Sequence, residues 1–99
     1  MTNYSIKWDR QSLDDRARIY EFMIDNANDN VADGIEDKIK ETAKLLAQFP
    51  EMGKSKHGTP TSTRLFSIQK TPYLLLYVPD KEKQQIQILR VFHSKQKYL

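Results

Sequence analysis

The sequence contains no cysteine, which excludes disulfides, thiolate metal sites and thiol nucleophiles and agrees with a reducing compartment. It has two histidines, His57 and His93, far apart in the chain. Without a thiolate beside them they fit no metal-ligand spacing, so neither a metal nor a cofactor is expected. No apolar run approaches the length of a bilayer-spanning helix, and the longest, Tyr73 to Val78, is strand-sized. Met1 to Arg10 lacks a basic start followed by an apolar run, so no secretory signal is expected. Repeats, low-complexity segments and an internal domain boundary are also missing. These absences describe a soluble, cytoplasmic protein without membrane association. Its 99 residues suit one domain spanning 1–99.

The chain is mildly basic, at +3, but its charge is divided unevenly. Residues 1–50 hold seven Lys/Arg against ten Asp/Glu, giving −3, and residues 51–99 hold nine against three, giving +6. A surplus of cations in one half attracts polyanions or acidic partners. It is equally compatible with a solvated lysine-rich surface.

Tyr4 to Trp8 alternates apolar and polar residues and reads as a short half-buried strand. Ser12 stands three residues before Asp15, a variant of the capping box that would open a helix. Leu13, Ala17, Tyr20, Ile24 and Ala27 recur at helical spacing and would form that helix's apolar stripe. Asn26 to Asn30 is rich in turn and cap residues and separates this helix from a second. There, Ile35, Ile39, Thr42, Leu46 and Phe49 mark the buried face, beside Ala32 and Ala43. Glu36, Asp37, Lys40, Glu41 and Lys44 occupy the solvated face. Pro50 and Gly53 end the second helix.

Met52 to Pro60 is a basic loop with nothing to bury. Strand signals follow at Arg64 to Gln69, Tyr73 to Val78 and Gln85 to Phe92, joined by Lys70 to Pro72 and by the charged turn Asp80 to Lys83. Such short links imply an antiparallel meander. Tyr73 to Val78 is apolar on both faces and should lie centrally. The expected fold is α+β, in the order β-α-α-β-β-β, with an antiparallel helical hairpin on one face of a twisted sheet.

Several segments, in order and over nearly the whole chain, resemble the RelE/ParE superfamily of toxins from type II toxin–antitoxin systems. The helix ending Phe49-Pro-Glu-Met-Gly53 is similar to the P-x-x-G that precedes the sheet in that family. Thr63-Arg64 is similar to the T-R that begins the next strand. Thr71 to Tyr77 resembles the central P-Y-x-x-x-Y strand, and Ile88 to His93 the closing I-L-R-V-x-H, continued by Gln96 and Tyr98. Ile19 to Phe22 also fits the N-terminal helix. Two departures stand out. Leu65 follows Arg64 where many relatives have an acidic residue, and Tyr98 stands where close relatives often end in tryptophan.

The resemblance implies a toxin neutralised by a cognate antitoxin, with one of two activities. Members similar to RelE cleave messenger RNA in the ribosomal A site without a metal. Members similar to ParE poison DNA gyrase by binding it. For cleavage, the 2′-hydroxyl must lose a proton, the phosphate must be stabilised and the leaving oxygen must be protonated. Arg64 would clamp the phosphate, and His93 would exchange protons, provided that the two converge. Lys54, Lys56, Lys95 and Lys97 would hold the RNA backbone or another target, Tyr98 would stack on a base, and Arg90 would face the partner or form a structural pair. Ribosome-dependent mRNA cleavage is therefore the first expectation, with ribosome and mRNA as partners. Gyrase inhibition without catalysis is the alternative. A nontoxic relative that only binds an antitoxin is a third reading, favoured by Leu65.

Overall fold

The computed structural model describes residues 3–55 and 62–96. The elements are β1 (Ser5–Trp8), α1 (Arg10–Asn26), α2 (Asp29–Gln48), β2 (Lys54–Ser55), β3 (Arg64–Ser67), β4 (Tyr73–Asp80) and β5 (Gln85–His93). The five strands form one sheet in the order β1-β5-β4-β3-β2. β4 occupies the centre, as its two apolar faces require. β2 to β5 pair antiparallel, whereas β1 pairs parallel with β5, from Ser5 opposite Gln85 to Trp8 opposite Ile88. The meander is therefore completed by a strand from the far end of the sequence.

One core forms between the helical hairpin and the sheet. Ile39, Ala43 and Leu46 of α2 meet Leu75 and Tyr77 of β4 and Ile86, Ile88 and Val91 of β5. Full burial of each large aliphatic side chain contributes about 1.5–3 kcal/mol. Strict alternation along β5 would turn Val91 away from Ile86 and Ile88. The ladder avoids this by passing from Leu76 opposite Arg90 to Tyr77 opposite Ile88, leaving Leu89 as an extra residue in a bulge.

α2 follows its sequence pattern except at Phe49, expected on the buried face, which caps the end of the helix with 45% of its surface exposed. Asn28 caps it by accepting the Val31 N–H at 2.9 Å, and Ala32, Ile39, Thr42, Ala43 and Leu46 are buried. α1 does not follow its pattern. It starts at Arg10, and Ser12 and Asp15 form no capping box: the Ser12 hydroxyl donates to the Asp9 carbonyl at 2.7 Å, and both residues are buried inside the helix. The expected apolar stripe faces outward, leaving Leu13 and Ile24 exposed. The side that packs carries Ser12, Asp15, Ile19 and Met23. Polar residues sit on this inner face because the sheet offers them specific partners.

Arg16 joins the two helices to the sheet. Its guanidinium makes a two-point bond with Glu36 of α2, at 3.2 and 3.0 Å, and lies 4.4 Å from the centre of the Trp8 ring of β1. The loop expected after α2 also differs, because Lys54 and Ser55 pair with Leu65 and Arg64 as an edge strand. The remainder of that loop, including Lys56 and His57, lies outside the described residues.

Candidate functional site

The motif residues of three separate segments meet at one turn. The Tyr77 hydroxyl donates to the Pro50 carbonyl at 2.8 Å and accepts the Gly53 N–H at 2.9 Å. Arg64, opposite Tyr77 on β3, donates from Nη1 to the Gly53 carbonyl at 2.6 Å and to the Glu51 carbonyl at 3.2 Å. Its Nε is buried without a hydrogen-bond partner. The Pro-x-x-Gly turn, the strand arginine and the strand tyrosine thus form one clamp that holds the start of β2 against β3 and β4. Burial pushes the Tyr77 phenol above its ordinary pKa, partly offset by the Gly53 N–H and the nearby Arg64 charge. Tyr77→Phe should cost about 1–3 kcal/mol, because it leaves a buried N–H and carbonyl unsatisfied. Urea unfolding would read this as a lower midpoint with an unchanged slope.

His93 belongs to another corner. It pairs with Tyr73, four residues before Tyr77 on β4, and stands edge-on to the Tyr73 ring with centroids 5.6 Å apart. Arg64 and His93 are therefore separated by about 13 Å along the strands and about 10 Å across them. Arg64 is engaged at the Gly53 turn and His93 beside Tyr73, so different neighbours hold the two side chains. The His93 ring is also bonded locally, since its Nδ1 accepts the Lys95 N–H at 3.1 Å. Its own N–H donates to Gln96 Oε1 at 3.0 Å.

Arg90, a candidate for target contact, makes an internal ion pair. Its Nε and Nη2 donate to the two carboxylate oxygens of Asp15 at 2.7 and 2.8 Å. The same carboxylate accepts the Val91 N–H at 2.9 Å and Arg18 Nη2 at 3.1 Å. Burial raises the Asp15 pKa, but the bonds from Arg90 and Val91, the Arg90 charge and Arg18 together outweigh it and hold the group below its ordinary value. Asp15 reads from sequence as a capping residue. The signal for its true role is Arg90 itself, a lone charge inside Ile88 to Phe92 that needs an opposite charge to be buried.

Of the remaining candidates, Lys54 is exposed on β2 and Lys95 is exposed just after β5. Lys56, Lys97 and Tyr98 lie outside the described residues. Between α1 and the end of β5 runs a groove of about 410 Å³, whose walls include Arg18, Ile19, Phe22, Tyr73, His93 and Gln96. Among the described residues, no helix is long and apolar enough to cross a membrane.

Residues 6–98 match the family model described as the ParE toxin of the type II toxin–antitoxin system, parDE. The chain belongs to that family. A comparison with curated proteins found no match. Among solved structures, the chromosomal ParDE system from P. aeruginosa is similar at 24% identity, covering 91% of this chain and 95% of that one, with a TM-score of 0.77. The RelBE2 toxin–antitoxin complex from Mycobacterium tuberculosis is similar at 22% identity, covering 94% and 93%, with a TM-score of 0.70. A free-state mutant of the E. coli toxin RelE is similar at 15% identity, covering 95% and 86%, with a TM-score of 0.69. These likenesses bear out the expected α+β fold, and the family match makes the chain a toxin of a type II toxin–antitoxin system.

Proposed function

We propose that this toxin arrests growth by binding DNA gyrase, with no catalytic centre of its own. This reverses the order of the two activities expected from the sequence. The observation that carries the reading is the separation of Arg64 from His93. General acid–base cleavage needs proton acceptor, proton donor and phosphate clamp within reach of one scissile bond. Here Arg64 holds a turn at one corner of the sheet, and His93 is engaged by Lys95 at another. Membership of the ParE family agrees with a toxin that works by contact.

The test is to induce the toxin and follow DNA supercoiling, message integrity and protein synthesis in parallel. Loss of supercoiling and a DNA damage response, with messages intact, is the expected result. His93→Ala should retain full toxicity. Early cleavage of messages with unchanged DNA topology would establish the nuclease instead. A chain harmless at high expression would support the nontoxic, antitoxin-binding reading.

A further inference from the structure

We propose that the turn between β3 and β4 presents Lys70, with Lys95 beside it, as a contact for the phosphate backbone of duplex DNA. This goes beyond gyrase as the target, because it assigns part of the toxin's contact to DNA itself.

Lys70 occupies a position that favours glycine. The Thr71 N–H donates to the Ile68 carbonyl at 3.2 Å, and Lys70, the third residue of that turn, has a φ of 62°. A turn with positive φ at its third residue alone is type II, which glycine or asparagine fits best. The turn is held firmly. The Thr71 hydroxyl donates to the same carbonyl at 2.8 Å and accepts the Tyr73 N–H at 3.1 Å, and Ile68 is buried in the core. Lysine is therefore kept in a strained backbone conformation that glycine would adopt freely. Among the described residues, the exposed Lys70 side chain makes no hydrogen bond or ion pair, so the fold gains nothing from its charge. Gln84 is the other non-glycine residue with positive φ among those described. Its carbonyl accepts the Ser5 N–H at 2.8 Å, so that conformation fastens β1 to the sheet. Lys70 makes no comparable bond among the described residues.

A strained, exposed lysine without a partner in the fold points to a ligand outside it. Lys95 stands at the same end of the sheet, since the Ser94 N–H donates to the Pro72 carbonyl at 2.8 Å. The Gln96 N–H donates to the His93 carbonyl at 2.9 Å, closing a second turn with Lys95 as its exposed third residue. From the strand spacing, the two lysines lie on the order of 10 Å apart, a span that the closely spaced phosphates of a duplex bridge. Gln69, beside Lys70, shares a hollow with Lys38 and Glu41 of α2. Lys38, Lys70 and Lys95 against Glu41 leave a net of +2 at this end. Tyr73 and Phe92, where β4 and β5 reach it, are only 6% and 5% exposed, so these strands offer no ring for base stacking. A lysine is a flexible point charge that reads no sequence. Such a surface suits the backbone of a stacked duplex better than a single strand with splayed bases.

The test titrates the ¹⁵N-labelled full chain with a short DNA duplex, with single-stranded RNA of the same sequence and with polyglutamate, each over a range of salt. The duplex should bind most tightly and shift the amides of Gln69, Lys70, Thr71 and Lys95. Each phosphate contact contributes a slope of about −0.9 in log affinity against log salt, so Lys70→Gly and Lys95→Ala should each make the slope shallower by about 0.9. Lys70→Arg keeps the charge and should keep the slope. Lys70→Gly should also raise the thermal midpoint by about 2–4 °C, because glycine accepts the positive φ of the turn. This better-folded variant should nevertheless need more inducer to arrest growth. A lysine kept for the fold would move stability the other way. An unchanged salt slope in Lys70→Gly, shifts centred elsewhere, tighter binding of RNA or polyglutamate, a lowered midpoint or undiminished growth arrest would each overturn the assignment. The titration contains no gyrase, so its failure leaves the gyrase reading standing, and failure of that reading in the supercoiling assay leaves the binding result standing.

Discussion

Asp15→Ala should lower folding stability by about 3–5 kcal/mol, the range measured when one partner of a buried ion pair is removed. The carboxylate is 5% exposed and Arg90 is 22% exposed. Its loss strips the Arg90 guanidinium of both bonds to Asp15 and leaves the Val91 N–H without its acceptor. At about 4 °C or more per kcal/mol for a domain of this size, the thermal midpoint should fall by about 12 °C or more. In a double-mutant cycle, adding Arg90→Ala to Asp15→Ala should cost far less than Arg90→Ala alone. Acid titration supplies an independent check. The fold holds Asp15 below its ordinary pKa, so its contribution is complete above the unfolded value near ~3.9 and is lost as pH falls through the lower folded value. The difference between the native protein and Asp15→Ala should therefore narrow in acid. A difference that stayed constant down to acid unfolding would show that the carboxylate's charge does not stabilise this fold.

Gly53→Ala should cost about 2–4 kcal/mol, through overpacking and the loss of one or both bonds to the Tyr77 hydroxyl. A Cβ at this position would stand 2.7 Å from that hydroxyl and 2.8 Å from the Leu65 carbonyl. Neither can retreat easily, since Tyr77 is fully buried in the core and the carbonyl belongs to β3. The requirement for glycine is close approach, because the Gly53 backbone is outside the left-handed region. Gly34 gives the contrast. It lies inside α2, a Cβ there meets nothing within 4 Å, and Gly34→Ala should stabilise the protein by about 0.5–1 kcal/mol. Equilibrium unfolding of the two variants side by side should give midpoints displaced in opposite directions. Equal effects would contradict the contact between Gly53 and Tyr77.

The elements with a period set by burial were legible in the sequence. α2 and β4 each present apolar residues wherever they meet the core, so spacing located them. α1 misled, because Ser12 and Asp15 occupy its inner face while Leu13 and Ile24 lie outside. Hydrophobic spacing cannot reveal a helix that docks through a carboxylate. The two-residue strand β2 carries no period at all, and its pairing depends on the clamp from Tyr77 and Arg64. At the candidate site, the residue types were legible and their grouping was not. Arg64 and His93 read as a pair because each sits at a strand end. Which ends adjoin depends on strand order and register, and these place one opposite Tyr77 and the other opposite Tyr73.

The parallel pairing of β1 with β5 also bears on the toxin's synthesis. Ser5 waits for Gln85, Asp9 for Gln87 and Asp15 for Arg90, so a nascent chain cannot close its sheet until β5 has left the ribosome. Contacts of such sequence separation form late and slowly. The sheet is therefore complete only when the two ends of the sequence have been brought side by side.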